Sequence, residues 1–297
     1  MASGPSDPRI LYAICAAVDD PTKYPDPPGW TRVWTSIGTK GNAAAVFQQT
    51  QKVPVPIYAL AIQGTHNALD ILEDSGVNSQ VPFPAIDGAG ITGAAIAKGA
   101  HDAVMLVLTL KNAAGQTLRQ YLDALKQGTT LVVTGHSLGG NVASVILPWI
   151  AAHVPAFGPA TAPLTIPANL FAVTFAAPSA GNSAFAIFLN NQPNYAAYFN
   201  SNDVVSNVWA SSGPLQVNNI YALFPSPGPA PCPQSIATKL QNKMQAMQDA
   251  GVSYTQTNGT LFAYPSAQAP GEDETAQWIW EMGYQHNDAY AKTYLGG

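Results

Sequence analysis

A serine stands between glycines where the residue periodicity of the chain changes. The segment TTLVVTGHSLGGNVASVILPW (129–149) begins as a β-branched apolar run, which predicts a strand, and continues with apolar residues at helical spacing. A sharp strand-to-helix turn at Ser137 needs small residues two positions away on each side, and Gly135 and Gly139 meet that need. The pattern G-x-S-x-G therefore predicts a nucleophilic serine. The alternative is a turn serine that only caps the helix.

A nucleophilic serine needs N–H donors beside it, because negative charge develops on the substrate oxygen during acyl transfer. The helix that follows Ser137 presents its first N–H groups and its positive dipole end at this point, so Leu138 is one expected donor. The second donor is expected from an earlier strand end, and AIQGTHN (61–67) places Thr65 there, directly after Gly64. An ordinary strand-terminating turn is the alternative.

A serine hydroxyl also needs a base that accepts its proton, and an acid that orients the base. The histidines of the chain are His66, His101, His136, His153 and His286. On an α/β sheet of this kind the order is serine, acid, histidine, and only His286 lies beyond the strands that follow Ser137. His286 comes just after a helix predicted to end near Gly283, so we place it in a loop, with a surface histidine as the alternative. His136 is expected to pack beside the turn.

The acid is sought among the carboxylates after Ser137. These are Asp203, Asp249, Glu272, Asp273, Glu274, Glu281 and Asp288. Helix ends or helix interiors account for most of them, and Asp288 is too near His286 in sequence to orient it. Asp203 instead follows the predicted strand of YFNSNDVVSNV, at the carboxyl end where α/β sheets place their sites. Asp203 is the predicted acid, and a turn-forming aspartate is the alternative.

Composition limits the partners of the chain. Of its 297 residues 47% are hydrophobic and only 10% are charged, against about 25% in an average soluble protein. The net charge of −5 and the lack of a Lys/Arg cluster argue against nucleic acid and against anionic membranes as partners. Polar residues such as Lys98 and Asn141 interrupt the apolar helical stretches, so we predict no transmembrane segment.

Two cysteines and the N-terminus bear on the compartment. Cys15 and Cys232 lie far apart, and the sequence leaves one disulfide and two unpaired thiols equally open, with no metal-ligand spacing. The first residues, MASGPSDPRILYAICAAVDDP, carry no basic segment before their short apolar stretch, so they do not read as a signal peptide. On its face the chain is therefore cytoplasmic.

Strand and helix patterns alternate along the chain. Strands are predicted at 56–65, 129–135, 169–178 and 195–203, and helices at 91–110, 116–125, 138–150, 182–191 and 235–250. Pro148 is expected to kink or end the third helix, and Ser235 is expected to cap the last one, which Gly251 stops. The alternation predicts an α/β fold with a mostly parallel central sheet that helices cover on both faces.

One domain, 1–297, is predicted, because no linker clearly divides the chain. The Pro/Ala-rich residues 151–168 predict an ordered surface loop. FPSPGPAPCP (224–233) has proline at every second position and predicts a stiff extended segment. A cap or insertion at about 210–270 is the expected elaboration of the domain.

Four motifs in order resemble those of the class 3 lipases, which include filamentous-fungal triacylglycerol lipases and feruloyl esterases. IQGTHNALDILED is similar to R-G-T…D-x-x-x-D, and VTGHSLGGNVA, TFAAPSAGN and NSNDVVSNV follow before a final histidine. The resemblance covers about residues 55–210 well. It implies the α/β-hydrolase fold, a Ser137–His286–Asp203 triad, and Thr65 and Leu138 in the oxyanion hole.

The resemblance also raises the question of a lid. Lipases of this family carry an amphipathic helix after the oxyanion segment, but EDSGVNSQVPFPAIDGAG (73–90) contains prolines and several glycines. A regular lid helix and interfacial activation are therefore not expected.

The predicted function is hydrolysis of a carboxylic ester, a glyceride or a short-to-medium-chain ester, through an acyl-enzyme on Ser137. Such chemistry needs no cofactor and no metal, and contact with a lipid surface would be transient. One alternative is an acyltransferase with the same triad, because a dry site lets an alcohol outcompete water. The other is a non-catalytic binding protein of the same fold. The family is largely secreted, which leaves the compartment open.

Overall fold

The computed structural model describes residues 7–37, 43–51, 53–64, 76–83, 91–159, 163–224, 232–267 and 273–296. Its strands are β1 (Trp30–Thr35), β2 (Ala44–Gln49), β3 (Ile57–Ile62), β4 (Gln80–Pro82), β5 (Ala95–Ala97), β6 (Thr130–His136), β7 (Leu170–Phe175), β8 (Tyr195–Asn200), β9 (Ala210–Ser212), β10 (Tyr254–Thr255) and β11 (Thr260–Phe262). Its α-helices are α1 (Pro8–Asp19), α2 (Lys98–Thr109), α3 (Leu118–Asp123), α4 (Leu138–His153), α5 (Ser183–Asn190), α6 (Val204–Asn207), α7 (Gln234–Asp249), α8 (Glu274–Gly283) and α9 (Ala289–Ala291).

A seven-stranded sheet organises the described part of the chain. Its strand order is β1-β2-β3-β6-β7-β8-β11. Strands β3, β6, β7, β8 and β11 run parallel to one another, whereas β1 and β2 form an antiparallel edge. The carboxyl ends of β3, β6, β7 and β8 therefore lie at one edge of the sheet, where loops can build a site.

Helices cover both faces of this sheet, because alternate residues of each strand point to opposite sides. In β6, Leu131 and Val133 pack into a large core with α4, while Val132 packs into a second core with α1. Tyr290 of α9 belongs to that second core. The prediction of a mostly parallel sheet flanked by helices is confirmed.

Local signals explain where several helices begin. Asp7 accepts the N–H of Arg9 and precedes a proline at the first position of α1. Thr117 and Gln120 form a reciprocal capping box at the start of α3. Asp203 accepts a hydrogen bond from the Val205 N–H at the start of α6, so the first turn of that helix orients this carboxylate.

Three helices differ from their predicted bounds. The helix predicted at 91–110 begins only at Lys98, because Ala95–Ala97 pairs with Gln80–Pro82 as a strand. Pro148 does not end α4, which continues to His153, and the predicted kink stays a prediction; the residues from Gly139 to Ala151 are buried, and this packing offsets the lost hydrogen bond. Helix α7 begins at Gln234, so Ser235 lies within its first turn and caps nothing.

The segments that interrupt the alternation have structure of their own. Within the predicted surface loop, the described residues continue α4 to His153 and form a short 3-10 turn at Pro155–Phe157. In the predicted cap region, β9 pairs with β10, while β11 pairs with β8 and extends the central sheet. The single-domain organisation with a cap stays a prediction. Most of the proline-rich segment, 225–231, lies outside the described residues.

Two findings bear on the remaining expectations. Cys15 and Cys232 are both free thiols, the first buried and the second half-buried. Among the residues that the structure describes, no helix has the length and apolar character needed to cross a bilayer.

Candidate active site

Ser137 occupies a strained turn between β6 and α4. Its φ of 60° and ψ of −131° are unusual for a residue with a side chain, and it is 1% exposed. A Cβ on Gly135 would collide with the backbone of Gly139, and one on Gly139 would collide with the carbonyl of Ile62. The glycines thus allow the turn to close tightly against β3.

His286 joins Ser137 to Asp203. Its Nε2 lies 2.8 Å from the Ser137 Oγ, and its Nδ1 lies 3.0 Å from both carboxylate oxygens of Asp203. A carboxylate only accepts hydrogen bonds, so Nδ1 carries the proton and donates a hydrogen bond to Asp203. Nε2 is then the acceptor that faces the serine hydroxyl. The three residues are each at most 1% exposed.

Asp203 receives further hydrogen bonds from its surroundings. The Val205 N–H donates to one oxygen at 2.9 Å, and the Ser206 hydroxyl donates to the other at 2.8 Å. The Tyr290 hydroxyl donates to the second oxygen at 3.2 Å and accepts the Asn200 N–H at 2.7 Å. Burial and the charge of Asp203 raise the pKa of Tyr290 well above its ordinary value, so this hydroxyl keeps its proton.

The structure places His286 differently from the predicted loop. The residue lies in a π-helical turn, Tyr284–Asp288, that continues α8 without a break. The loop prediction was therefore wrong: Gly283 has helical φ and ψ and does not end the helical path. One more turn brings Tyr290 to the same carboxylate as His286.

His136 packs beside the turn and contacts His286. Its ring centroid lies 4.7 Å from that of His286, and its Nε2 lies 2.8 Å from the His286 carbonyl oxygen. A carbonyl only accepts, so Nε2 carries the proton. Burial, and then His286, lower the pKa of His136 well below its ordinary value, which keeps the ring neutral.

The predicted oxyanion donors are only partly within the described residues. Leu138 is the first residue of α4, so its N–H is at the positive end of a 16-residue helix. Thr65 lies outside the described residues. Gly64, directly before it, is placed: a Cβ there would be 2.6 Å from the His136 carbonyl oxygen and 3.1 Å from the Ser137 Cβ.

Two of the other histidines and one of the other carboxylates have partners of their own. His101 pairs with Asp102 on α2, His153 stacks on Trp149, and Glu281 accepts hydrogen bonds from Gln285 and from the Ala267 N–H. Burial raises the pKa of Glu281. His66 lies outside the described residues. In the described ranges, no three His, Cys, Asp or Glu side chains converge as metal ligands would.

Sequence reasoning missed Ser206, Tyr290 and Asp19. Ser206 carried a signal, since a hydroxyl three residues after an N-cap aspartate can reach back to it. Tyr290 is four residues after His286, which is one helical turn, but the expected loop concealed that periodicity. Asp19 accepts the Gly64 N–H at 2.9 Å across 45 residues, and no local pattern indicates that bond.

Comparison with known proteins places this geometry in context. The family model described as Lipase (class 3) matches residues 59–212, more than half of the chain. M37 lipase is similar in structure, with a TM-score of 0.69 and 20% identity over 90% of this chain and 81% of its own. Lipase II from Rhizopus niveus has a TM-score of 0.51 and 19% identity over 69% of this chain and 74% of its own.

A third lipase, from Rhizopus microsporus var. chinensis, has a TM-score of 0.52 and 17% identity over 70% of each chain. At these identities the similarities show the fold, which is the α/β-hydrolase fold that the ordered motifs predict. No curated protein sequence matches the chain.

Proposed function

Because this chain belongs to the class 3 lipase family, whose members are carboxylic-ester hydrolases, we propose that it cleaves acyl esters through a covalent acyl-enzyme on Ser137. The observation that carries the proposal is the continuous hydrogen-bonded line from Ser137 through His286 to Asp203, at 2.8 Å and 3.0 Å. All three groups are buried, so water does not compete for these bonds.

Acylation starts when the Ser137 oxygen attacks the ester carbonyl carbon and His286 Nε2 takes the hydroxyl proton. The carbonyl electron pair moves onto the oxygen, where the N–H groups of Leu138 and Thr65 are the proposed donors. The intermediate then collapses: the bond to the alcohol oxygen breaks, and the imidazolium returns its proton to that oxygen. An acyl-enzyme and a free alcohol result.

Deacylation repeats these steps with water as the nucleophile. His286 takes a proton from water, the hydroxide adds to the acyl carbon, and the Ser137 oxygen leaves with the proton from His286. Asp203 holds the imidazole in the required tautomer and stabilises its positive charge throughout. The products are a carboxylic acid and the restored serine.

The first test is Ser137→Ala, with Ser144→Ala as the matched control. Ser144 is a buried serine of the same helix, and its hydroxyl donates to the Gly140 carbonyl and contacts Tyr195. We expect Ser137→Ala to lower kcat for a p-nitrophenyl ester by more than about 10³-fold, while Ser144→Ala keeps its activity. A fluorophosphonate probe should label the wild type and the control only. Equal turnover by Ser137→Ala would remove the proposal, and an unlabelled wild type would favour a binding protein.

The substrate class is proposed as glycerides or short-to-medium-chain esters. A chain-length series of p-nitrophenyl esters and triglycerides, measured below and above the concentration at which they form micelles, tests this assignment. A rate that rises steadily through that concentration would support action on dissolved ester without interfacial activation. A sharp rise there would instead indicate that the site works at a lipid surface.

A further inference from the structure

Hydrogen bonds join the residues that follow β3 to the last turn of α1. Gln63 donates from its side-chain amide to the carbonyls of Val18 and Asp19, at 3.3 Å each. The next residue, Gly64, donates its backbone N–H to the Asp19 Oδ1 at 2.9 Å. The final turn of α1 therefore holds two consecutive residues of the segment that leads into Thr65.

On its other side the same segment presses against the nucleophile. The Cα of Gly64 leaves no room for a side chain, since a Cβ would lie 2.6 Å from the His136 carbonyl and 3.1 Å from the Ser137 Cβ. Gly64 is thus confined between Asp19 and the serine turn. A shift of Asp19 would move the backbone that directly precedes the proposed oxyanion donor.

Asp19 lines a partly open cavity of about 190 Å³, and its side chain is 24% exposed. Among the described residues, the titratable groups that line this cavity with Asp19 are Tyr12, Asp20, Lys23, Tyr24, His136 and Asp288. The second oxygen of Asp19 lies 3.9 Å from the His136 Nδ1, beyond hydrogen-bond reach. Within the part of the chain that the structure describes, this carboxylate accepts its hydrogen bond from the Gly64 N–H.

We propose that Asp19 is a positioning residue of the active site, which fixes the backbone of Gly64, the residue directly before the proposed oxyanion donor Thr65. The inference rests on the proposed function. Asp19 touches no reacting atom and acts through the Gly64 N–H. Because oxyanion contacts tighten in the transition state, loss of this support lowers kcat more than it raises KM.

The test compares Asp19→Ala with Asp19→Asn and uses Asp20→Ala as the control. Asn keeps an acceptor oxygen for the Gly64 N–H and Ala does not. Asp20 lines the same cavity, but its carboxylate accepts hydrogen bonds from the backbone N–H groups of Thr22 and Lys23. We expect Asp19→Ala to lower kcat by about 10- to 100-fold with KM within about twofold, since small misplacements have costs of that size. Asp19→Asn and Asp20→Ala should stay within about threefold of the wild type.

A transition-state analogue separates positioning from general loosening. A trifluoromethyl ketone forms a hemiketal oxyanion on the serine, so its Ki should rise in Asp19→Ala by the same factor as kcat/KM falls. Unchanged kcat in Asp19→Ala, unchanged Ki, or failure of Asn to restore activity would overturn the inference. Persistent activity in Ser137→Ala would overturn the hydrolase proposal instead, so the two failures are distinct.

If Asp19→Ala does not fold, the wild type and Asp19→Asn still decide the question. In protein labelled with ¹⁵N-glycine, we expect the Gly64 amide to exchange slowly in both, and to shift when the trifluoromethyl ketone binds. Fast exchange of that amide in the wild type would show that the bond to Asp19 is not held, and the inference would be wrong.

Discussion

Asp203 is the residue whose surroundings most restrict the proposed chemistry. It accepts from the His286 imidazole, from one backbone N–H and from two hydroxyls, and it is fully buried. Burying a charged carboxylate at this position without those donors would cost folding free energy. Each donor therefore also helps to hold His286 in line with Ser137.

Tyr290→Phe tests this support at the level of one oxygen atom. The change removes a donor to Asp203 and leaves the buried Asn200 N–H without its acceptor. Since a hydrogen bond to a charged group contributes about 1.5–3 kcal/mol, we expect about 2 kcal/mol lower stability and about tenfold lower kcat. Urea unfolding and ester kinetics measure the two effects.

Tyr294→Phe is the matched control for that substitution. Tyr294 packs in the same aromatic cluster against Tyr12 and Phe175, and it lies near Tyr198 rather than at Asp203. We expect its activity to equal that of the wild type. If the two variants behaved alike, the hydroxyl of Tyr290 would have no role in supporting Asp203.

At the level of elements, the close approach of α4 to β3 decides the geometry of the serine turn. Gly139 is the first-turn residue at which α4 meets the Ile62 carbonyl, and Gly135 meets Gly139 in turn. No side chain fits at either contact. The elements can hold Ser137 in its strained conformation only because these positions have no Cβ.

Two glycine substitutions distinguish packing from helix propensity. Gly139→Ala places a methyl group against the β3 backbone, so we expect it to cost about 3 kcal/mol of stability or to prevent folding. Gly283→Ala adds a methyl group where nothing lies within 4 Å, at helical φ and ψ. There we expect a gain of about 0.5–1 kcal/mol. Thermal unfolding measures both, and equal effects would contradict this account of the turn.

At the level of the whole molecule, Asp19 links stability to pH. Burial raises its pKa from the ordinary value of 3.8 to about 7, although its side chain is still 24% exposed to the cavity. The folded state therefore favours the protonated acid. The raised pKa of Asp19 therefore contributes to the free energy of unfolding at low pH. The contribution is fully present below about pH 4 and is lost as the pH rises through about 7.

Asp19→Asn removes that titration, so the variant should gain on the wild type as the pH rises. The shift of about three pH units sets an upper limit of about 4 kcal/mol, and partial exposure lowers our expectation to about 2 kcal/mol. Urea unfolding at about pH 4.5 and about pH 8 measures the difference. His136 is neutral in both folded proteins, so its contribution is the same in both, and Asp20→Asn controls for net charge. A constant difference across this range would contradict the prediction.

The sequence by itself determined the elements whose signals are local. The β-branched run before Ser137, the helical spacing after it and the flanking glycines fixed the strand, the helix and the turn between them. The order of serine, acid and histidine selected His286 and Asp203 as candidates, because few residues of the right type follow in the right context. Periodicity and steric exclusion act within a few residues, so they can be read without coordinates.

Only the tertiary structure decided the interactions that connect distant segments. Burial of α4 stabilises the helix beyond Pro148. Strand pairing makes Ala95–Ala97 a strand, although its sequence pattern predicts a helix. The continuation of α8 past Gly283 brought Tyr290 to Asp203, and packing of α1 against β3 joined Asp19 to Gly64 across 45 residues. These interactions depend on which surfaces meet after folding. The local sequence around a residue therefore does not indicate its distant partner.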